Sequence, residues 1–501
     1  MPSTTAKSVN SVSVLTLNCW GLWLVSKDRK KRTMQLGEYL SRSFDLDIVA
    51  LQEVWVEEDV ELLTKCGREA GLCFPMHFKS GIFGSGLLTL SRWPILESSF
   101  HQYSAAGDPL AIACGDYLAA KGFGWVRLAS PIGPLDVFNT HTHANYSHKV
   151  KGNKEKMTHS KDDGSLPLEG LASASMEVNA ATTINCHIPA DSFAPYRISQ
   201  MWELVQGMHH ISKVGNVGVI LAGDLNSKPD SLEHVLLRTL LPELRDSWLE
   251  HHSEPSMKSG TNSGEGFTCR GPGCTYKSTR QVPERIDYVL STLKPVMCRV
   301  CLQRSPLGIS YSDHFAVQTV LSCTSELGRK EGDQEVHGGS NKVSRKTANR
   351  TMISPLSVQM VGEQMMIMEC LKIVEFGAVR CATARSRALM TAVMAFVTML
   401  ICLALLNINT CSQSCTSALA GACRDIEWSR SFFSNPFEPR SCSEMSSALQ
   451  AAGQHALGLL LMILSAFWML LLLKGQVADS ANERALSMSA AQLRLLLNKV
   501  G

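Results

Sequence analysis

The sequence has almost no surplus charge: Lys and Arg number 48 against 45 Asp and Glu, a formal net charge of +3 over 501 residues. Nucleic-acid binders carry a basic face that neutralises phosphates, so this balance argues against DNA or RNA as a partner. The N-terminal stretch MPSTTAKSVNSVSV has no apolar run behind a basic start. No secretory signal peptide is therefore expected, and the first half of the chain is expected to stay in the cytosol. There is no GxSxG elbow for serine hydrolysis and no P-loop for nucleotide use. Charged residues are scarce at 19%, while hydrophobic ones reach 45%, which excludes a disordered or coiled-coil chain. The 17 cysteines are scattered over a long chain, unlike the dense pattern of a small disulfide scaffold.

What is present divides at about residue 322. From 12 to 322, short β-rich runs alternate with helical stretches and Gly/Pro turns, as in a mixed α/β domain. Strands are expected at 12–17, 47–51, 87–91, 135–140, 217–222, 286–290 and 315–321, and helices at 55–70, 196–212 and 231–240. Residues 148–192 begin with several lysines and continue Ser/Ala-rich without periodicity, so a flexible insertion is expected there. A polar linker follows at 323–356, then an amphipathic juxtamembrane segment at 357–387, where Val358, Val361, Met365, Met368 and Leu371 recur at helical spacing. Two runs, 388–406 and 456–473, contain no charge at all. Each is close to the ~20 residues that cross a bilayer as a helix, so a two-helix transmembrane hairpin is expected. Arg380, Arg385 and Arg387 precede the first run and Lys474 follows the second. The positive-inside tendency then puts the first half and the 474–501 tail in the cytosol and 407–455 in the lumen. Cys411, Cys415, Cys423 and Cys442 of that loop are expected to form disulfides, with the connectivity open.

Polar residues collect where the expected strands run out. Asn18, Glu53, Asn139, His141, His143, Asp224, Asn226, Asp287, Asp313 and His314 all sit at or just beside a strand end. One such residue is an ordinary turn former, whereas a whole set suggests a shared rim at which strands converge on a cleft. The residue types suit one chemistry. A carboxylate such as Glu53 with amide oxygens around it fits a hard Mg²⁺, neutral amides at Asn18 and Asn226 fit a phosphate, and His314 offers a base near neutral pH. This is the equipment of metal-assisted phosphodiester hydrolysis.

Leu15-Thr16-Leu17-Asn18-Cys19-Trp20-Gly21, Leu51-Gln52-Glu53-Val54-Trp55, Gly223-Asp224-Leu225-Asn226, Arg285-Ile286-Asp287-Tyr288 and Ser312-Asp313-His314 stand in the order of the endonuclease/exonuclease/phosphatase superfamily. Within it the chain resembles the membrane-anchored neutral sphingomyelinases, through Asn18-Cys19-Trp20-Gly21, the SGIFGSG turn at 80–86, Gly115-Asp116 with Lys121-Gly122, and Thr140-His141-Thr142-His143-Ala144. The resemblance implies a four-layer α/β/β/α sandwich over 12–322, and sphingomyelin of a cellular membrane such as the endoplasmic reticulum as substrate. It implies Mg²⁺, with Mn²⁺ able to substitute, held by Glu53 and Asn18. It assigns phosphate contact to His141, water orientation to Asp224, and phosphate binding to Asn226, with Asn18 and Lys121 also on the substrate side. His314 becomes the general base steered by Asp313, Asp287 a hydrogen-bonding support, and Asp116 with Lys121 a loop-coupling pair. Rival readings keep the site and change the substrate, to a lyso-phosphocholine lipid, a nucleic acid or an inositol polyphosphate. A non-enzymatic membrane scaffold has no need for Glu53, Asp224 and His314 together.

Overall fold

Strand β1 (Ser11–Asn18) is buried on both faces. Val12 and Val14 pack with Ile48 and Ala50 of β2 (Ile48–Gln52) in one core, while Leu15 and Leu17 pack with Val49 and Leu51 in another. The side-chain period of two thus deals each strand's residues to two different layers. The first core lies between two sheets, because it also holds Val126, Val137, Ile220 and Val289. The second lies under α1 (Arg29–Ser41) and α2 (Glu57–Glu69), which contribute Leu36, Leu40, Val60 and Leu63.

The computed structural model describes residues 11–23, 25–81, 84–108, 116–117, 119–146, 191–212, 216–253, 266–276, 282–323, 355–427 and 441–500. The expected 148–192 insertion and the 323–356 linker lie almost wholly outside these. One sheet runs β11 (Lys294–Cys301), β12 (Ala316–Ser322), β1, β2, β4 (Leu87–Ser91), β3 (Phe74–Phe78). The other runs β5 (Ile95–Gln102), β6 (Gly122–Ser130), β7 (Gly133–His141), β8 (Gly218–Asp224), β10 (Asp287–Ser291), β9 (Arg245–Asp246). Only β1/β2 and β7/β8 pair in parallel, so both sheets are mixed. Helix α3 (Ala194–Ile211) lies against β6 of the second sheet, and Arg197 joins it to α4 (Leu232–Leu240) through Glu233 at 2.9 Å. A short α5 (Ser247–His252) follows β9. The layers are α/β/β/α, as expected. Polar groups stitch the two sheets together: Gln52 Nε2 donates to Asn139 Oδ1 at 2.7 Å, and Asn139 Nδ2 to Leu51 O at 3.1 Å.

All seven expected strands form. Those that escaped the sequence reading are edges, or carry Pro or Gly. β5 is mostly exposed, β3 and β11 contain Pro75 and Pro295, and β6 opens on Gly122 and Gly124. Helix α1 was hidden by its first four residues, Arg29-Lys30-Lys31-Arg32, which mask the apolar pair Leu36 and Leu40.

Beyond 354 the chain forms α6 (Pro355–Glu427), α7 (Ser441–Leu472), a wider π turn (Leu473–Asp479) and α8 (Ser480–Val500). It divides into two compact units, 1–377 with 484–501, and 378–483. In the first unit, α8 buries Ala485, Leu486, Ser489, Ala490 and Leu493, a stripe at helical spacing. Ser489 Oγ meets Ser199 Oγ at 2.8 Å, and Trp202 Nε1 donates to Gln492, both partners lying on α3. The start of α6 joins this packing: Gln364 Nε2 donates to Val500 O at 3.1 Å, and Arg494 pairs with Glu375. Gly377 sits so close to α3 that a Cβ there would stand 2.4 Å from Pro195 Cβ. The expected helix is present here, but its buried face is Ile367, Cys370, Leu371 and Val374, with Met365 and Met368 exposed. Apolar residues surround this segment, so packing rather than periodicity chose the face.

In the second unit Phe396 of α6 stacks on Trp468 of α7 at 5.5 Å, and Arg385 pairs with Glu483 at 3.0 Å. Both uncharged runs lie in helices long and apolar enough to cross a membrane, with mean hydropathy 2.0. The segment expected as the lumenal loop, 407–455, is partly helical. Helix α6 continues to Glu427 and α7 already begins at Ser441. The stretch 407–427 is polar but has no proline to stop a helix once started. The expected disulfides fall on residues whose side chains lie outside the described set.

Candidate active site

The inter-sheet core turns polar at one end. On the inner face, β1 reads Val12, Val14, Thr16, Asn18; β7 reads Val137, Asn139, His141; β8 reads Ile220, Ala222, Asp224; and β10 opens on Asp287 before Val289. The alternation that fills the core therefore ends, strand after strand, on a site residue. Register brings them level: His141 pairs with Asp224, and Asp224 with Asp287. Glu53 follows β2 in a left-handed conformation, φ 57°, and Asn226 lies beyond β8 at φ 45°. Such backbone is uncommon away from glycine and gathers at functional sites.

Asn18 Nδ2 donates to both Glu53 Oε1 at 3.0 Å and Asp224 Oδ2 at 2.9 Å. His141 Nε2 stands 3.5 Å from Asp224 Oδ2 and 4.0 Å from Glu53 Oε1. His314 Nδ1 donates to Asp287 Oδ2 at 2.8 Å, so its Nε2 faces Asp224 Oδ2 at 3.9 Å. Asn226 is tied to Asp224 through its backbone N–H at 2.9 Å, and its Nδ2 donates to Thr142 O at 3.1 Å. The Lys121 ammonium reaches the same Thr142 carbonyl at 2.8 Å and pairs with Asp116. Lys121 therefore acts on the cleft by charge and by holding backbone. His143 is a support: its N–H bonds Gln200 at 2.7 Å, and its ring stacks between Phe193 and Tyr196. Asn139 lies one inner-face position deeper than His141, between the sheets rather than at the rim.

One expectation is corrected. The carboxylate on the His314 ring is Asp287, not Asp313. Asp313 lies in the bend before the last strand and accepts from the Ser312 hydroxyl at 3.3 Å, while Asp287 comes across from β10 to the His314 ring.

Electrostatics follow from burial. Burial pushes Asp224 up to about 7, helped by neighbouring Asp287, and burial raises Glu53 as well. Burial, then Lys121, holds His141 well below its ordinary value, so it is neutral. For His314 burial opposes the charge, but Asp287, Cys269 and Asp224 outweigh it and hold the ring well above its ordinary value. Glu53 and Asp224 share one amide donor, and among the described residues Asp287 Oδ1 and His141 Nδ1 are buried without a bonded partner. Asp224, Asp287 and His314 each offer a ligand atom within 4.8 Å of the others. Oxygen-rich, under-neutralised and buried, this donor set fits a hard divalent cation.

A model of the Endonuclease/Exonuclease/phosphatase family matches residues 15–314. The chain belongs to that family. The inositol phosphosphingolipids phospholipase C of Schizosaccharomyces pombe is 32% identical over 62% of this chain and 68% of that protein. Human sphingomyelin phosphodiesterase 2 is 33% identical over 55% of each chain. Among solved structures, sphingomyelinase C from Streptomyces griseocarneus overlays with a TM-score of 0.41 at 17% identity, covering 62% of this chain and 99% of that one. The family match spans every site residue from Asn18 to His314. Sequence reasoning missed Arg32, which underlies the Asn18 loop, because a basic residue at the start of a helix reads as solvated surface.

Proposed function

We propose that the chain is a divalent-cation-dependent phospholipase C that hydrolyses sphingomyelin to ceramide and phosphocholine. The observation that carries this is the meeting of Asn18, Glu53, His141, Asp224 and His314 at one end of the sandwich, with Asn18 bridging two carboxylates at 3.0 and 2.9 Å. The two named relatives support a phosphosphingolipid substrate and differ in headgroup, which makes an inositol-phosphate head the second reading.

Glu53 and Asn18, with Asp224 beside them, would hold Mg²⁺, for which Mn²⁺ would substitute. When bound, the cation supplies Lewis-acid charge to the phosphoryl oxygens and leaving group. Its positive charge opposes protonation of His314, so a neutral base goes with a loaded site. His314 Nε2 then takes the proton of the attacking water, which Asp224 orients, while Asp287 keeps the ring's Nδ1 protonated. Neutral His141 and Asn226 donate to the phosphate. The phosphorus–oxygen bond to the ceramide breaks, and that oxygen leaves as the alcohol on taking up a proton from solvent, which balances the one that His314 removes from water and later releases. The two apolar spans would anchor the enzyme in a membrane such as the endoplasmic reticulum. Arg380, Arg385, Arg387 and Lys474 favour a cytosolic catalytic unit.

Headgroup release by purified protein, with and without Mg²⁺, tests this on sphingomyelin, an inositol phosphosphingolipid, a lyso-choline lipid and an abasic duplex. Sphingomyelin should be preferred and EDTA should silence it. Glu53→Gln, Asp224→Asn and His314→Ala should each lose at least about 10²-fold. More than half the activity surviving in any one of them removes that residue's role, and preference for the inositol lipid replaces the first reading with the second.

A further inference from the structure

Arg32 on α1 is 2% exposed, yet a guanidinium keeps its proton even when buried. Its guanidinium donates to four main-chain carbonyls. Nη1 reaches Cys19 O at 2.6 Å and Tyr311 O at 3.1 Å, Nη2 reaches Trp20 O at 2.7 Å, and Nε reaches Lys27 O at 2.8 Å. The group also lies 4.8 Å from the Trp20 ring centroid and 5.6 Å from that of Tyr276. Its bonded partners include no carboxylate. Asp313 and Glu53 favour its charge from nearby without bonding it, but a buried cation is still costly compared with an apolar side chain, so packing does not account for an arginine here.

The four carbonyls do. Cys19 and Trp20 directly follow Asn18, and Tyr311 stands three residues before His314. One planar fork therefore joins the segment bearing Asn18 to the segment bearing His314. Glu53 is drawn in from the other side. Cys19 N donates to Gln52 O at 2.8 Å, and a Cβ on Gly21 would stand 2.1 Å from Glu53 O, so residues 19–21 lie flush against the Glu53 backbone. Trp20 and Glu53 both hold left-handed backbone, at φ 48° and 57°. Such conformations persist only where the surroundings over-determine them.

We propose that Arg32 is a positioning residue of the catalytic centre, holding the Asn18–Gly21 and Tyr311–His314 segments together and, through Gly21, setting where Glu53 meets its cation. This rests on the reading of Asn18 and Glu53 as cation ligands and His314 as base. A lysine keeps the charge but has no planar fork to reach several carbonyls at once, so Arg32→Lys separates geometry from charge.

The full chain in detergent micelles serves for the test. Arg32→Lys should melt cooperatively, with kcat down about 10- to 100-fold, KM within about twofold, and the Mn²⁺ dissociation constant, measured by calorimetry without substrate, up about tenfold. Gly21→Ala should reproduce this pattern with Arg32 intact, and it decides the matter if Arg32→Lys does not fold. A lower melting temperature with unchanged kcat and Mn²⁺ affinity would make Arg32 a packing residue and overturn the proposal. Parent protein that binds no Mn²⁺ would instead overturn the cation reading of Glu53 and Asn18. In that case the kcat-against-KM comparison still judges Arg32.

Discussion

Asp224 concentrates the electrostatic tension of the site. Burial holds it at about 7, against ~3.9 for an aspartate in an unfolded chain. Between those values the folded state binds more protons than the unfolded one, so stability of the cation-free protein falls as pH rises. Glu53 and His314 are raised too, and a raised group on either kind of side chain contributes loss in the same direction. In EDTA the thermal midpoint of the parent should therefore fall relative to that of Asp224→Asn as pH rises from about 5.5 to about 8, a comparison in which the depressed histidines His141, His143 and His234, which act in the opposite direction, cancel, and added Mg²⁺ should recover most of the parent's loss at the higher pH. A parent midpoint that climbs with pH relative to Asp224→Asn would contradict a carboxyl held protonated by its buried surroundings. Asp116 lies on the other side of this balance: burial opposes its charge, but Lys121 holds its carboxyl well below the usual range, so that pair persists well into acid.

At the scale of elements, the two sheets are joined by more than apolar contact. Asn139 of β7 accepts from Gln52 of β2 and donates to the backbone of the same strand. Asn139→Leu would take one acceptor from the Gln52 amide, which keeps Thr16 Oγ1 at 3.0 Å and Ala50 O at 3.2 Å, and one donor from the Leu51 carbonyl, at a net cost of about 0.5–1.5 kcal/mol per lost hydrogen bond. Urea denaturation should report a loss in that range. A change below about 0.5 kcal/mol would mean that the bridge adds little beyond its packing. The effect on activity should exceed the stability loss only if the bridge also sets the spacing between Glu53 and His141, which belong to opposite sheets.

For the whole molecule, the catalytic unit is not finished by residue 322. Helix α8, the last in the sequence, lies on the outer face of α3, with Leu486 and Leu493 fully buried. Each such side chain contributes roughly 1.5–3 kcal/mol. Deleting 484–501 removes no site residue and leaves both apolar runs intact, yet it should lower the thermal midpoint and expose α3 to protease. Equal midpoints for the truncated and full chains would show that α8 is dispensable to the unit.

The sequence alone determined which polar residues close the strands and which strands carry them. Period-two alternation and a polar residue closing each inner row are local features, so Asn18, Glu53, His141, Asp224, Asp287 and His314 were all legible. The two uncharged runs were legible for the same reason, since length and absence of charge need no partner to be recognised. Edge strands were not, because β5 is mostly exposed and has no buried row to betray it. Tertiary structure decided which partner each polar group takes. Asp287 rather than Asp313 holds His314, Arg32 binds a carbonyl 279 residues further along the chain, and α8 packs on a helix almost 300 positions earlier. Hydrogen-bond partners and packing faces are set by proximity in space, and no periodicity along one segment records what another will bring to it.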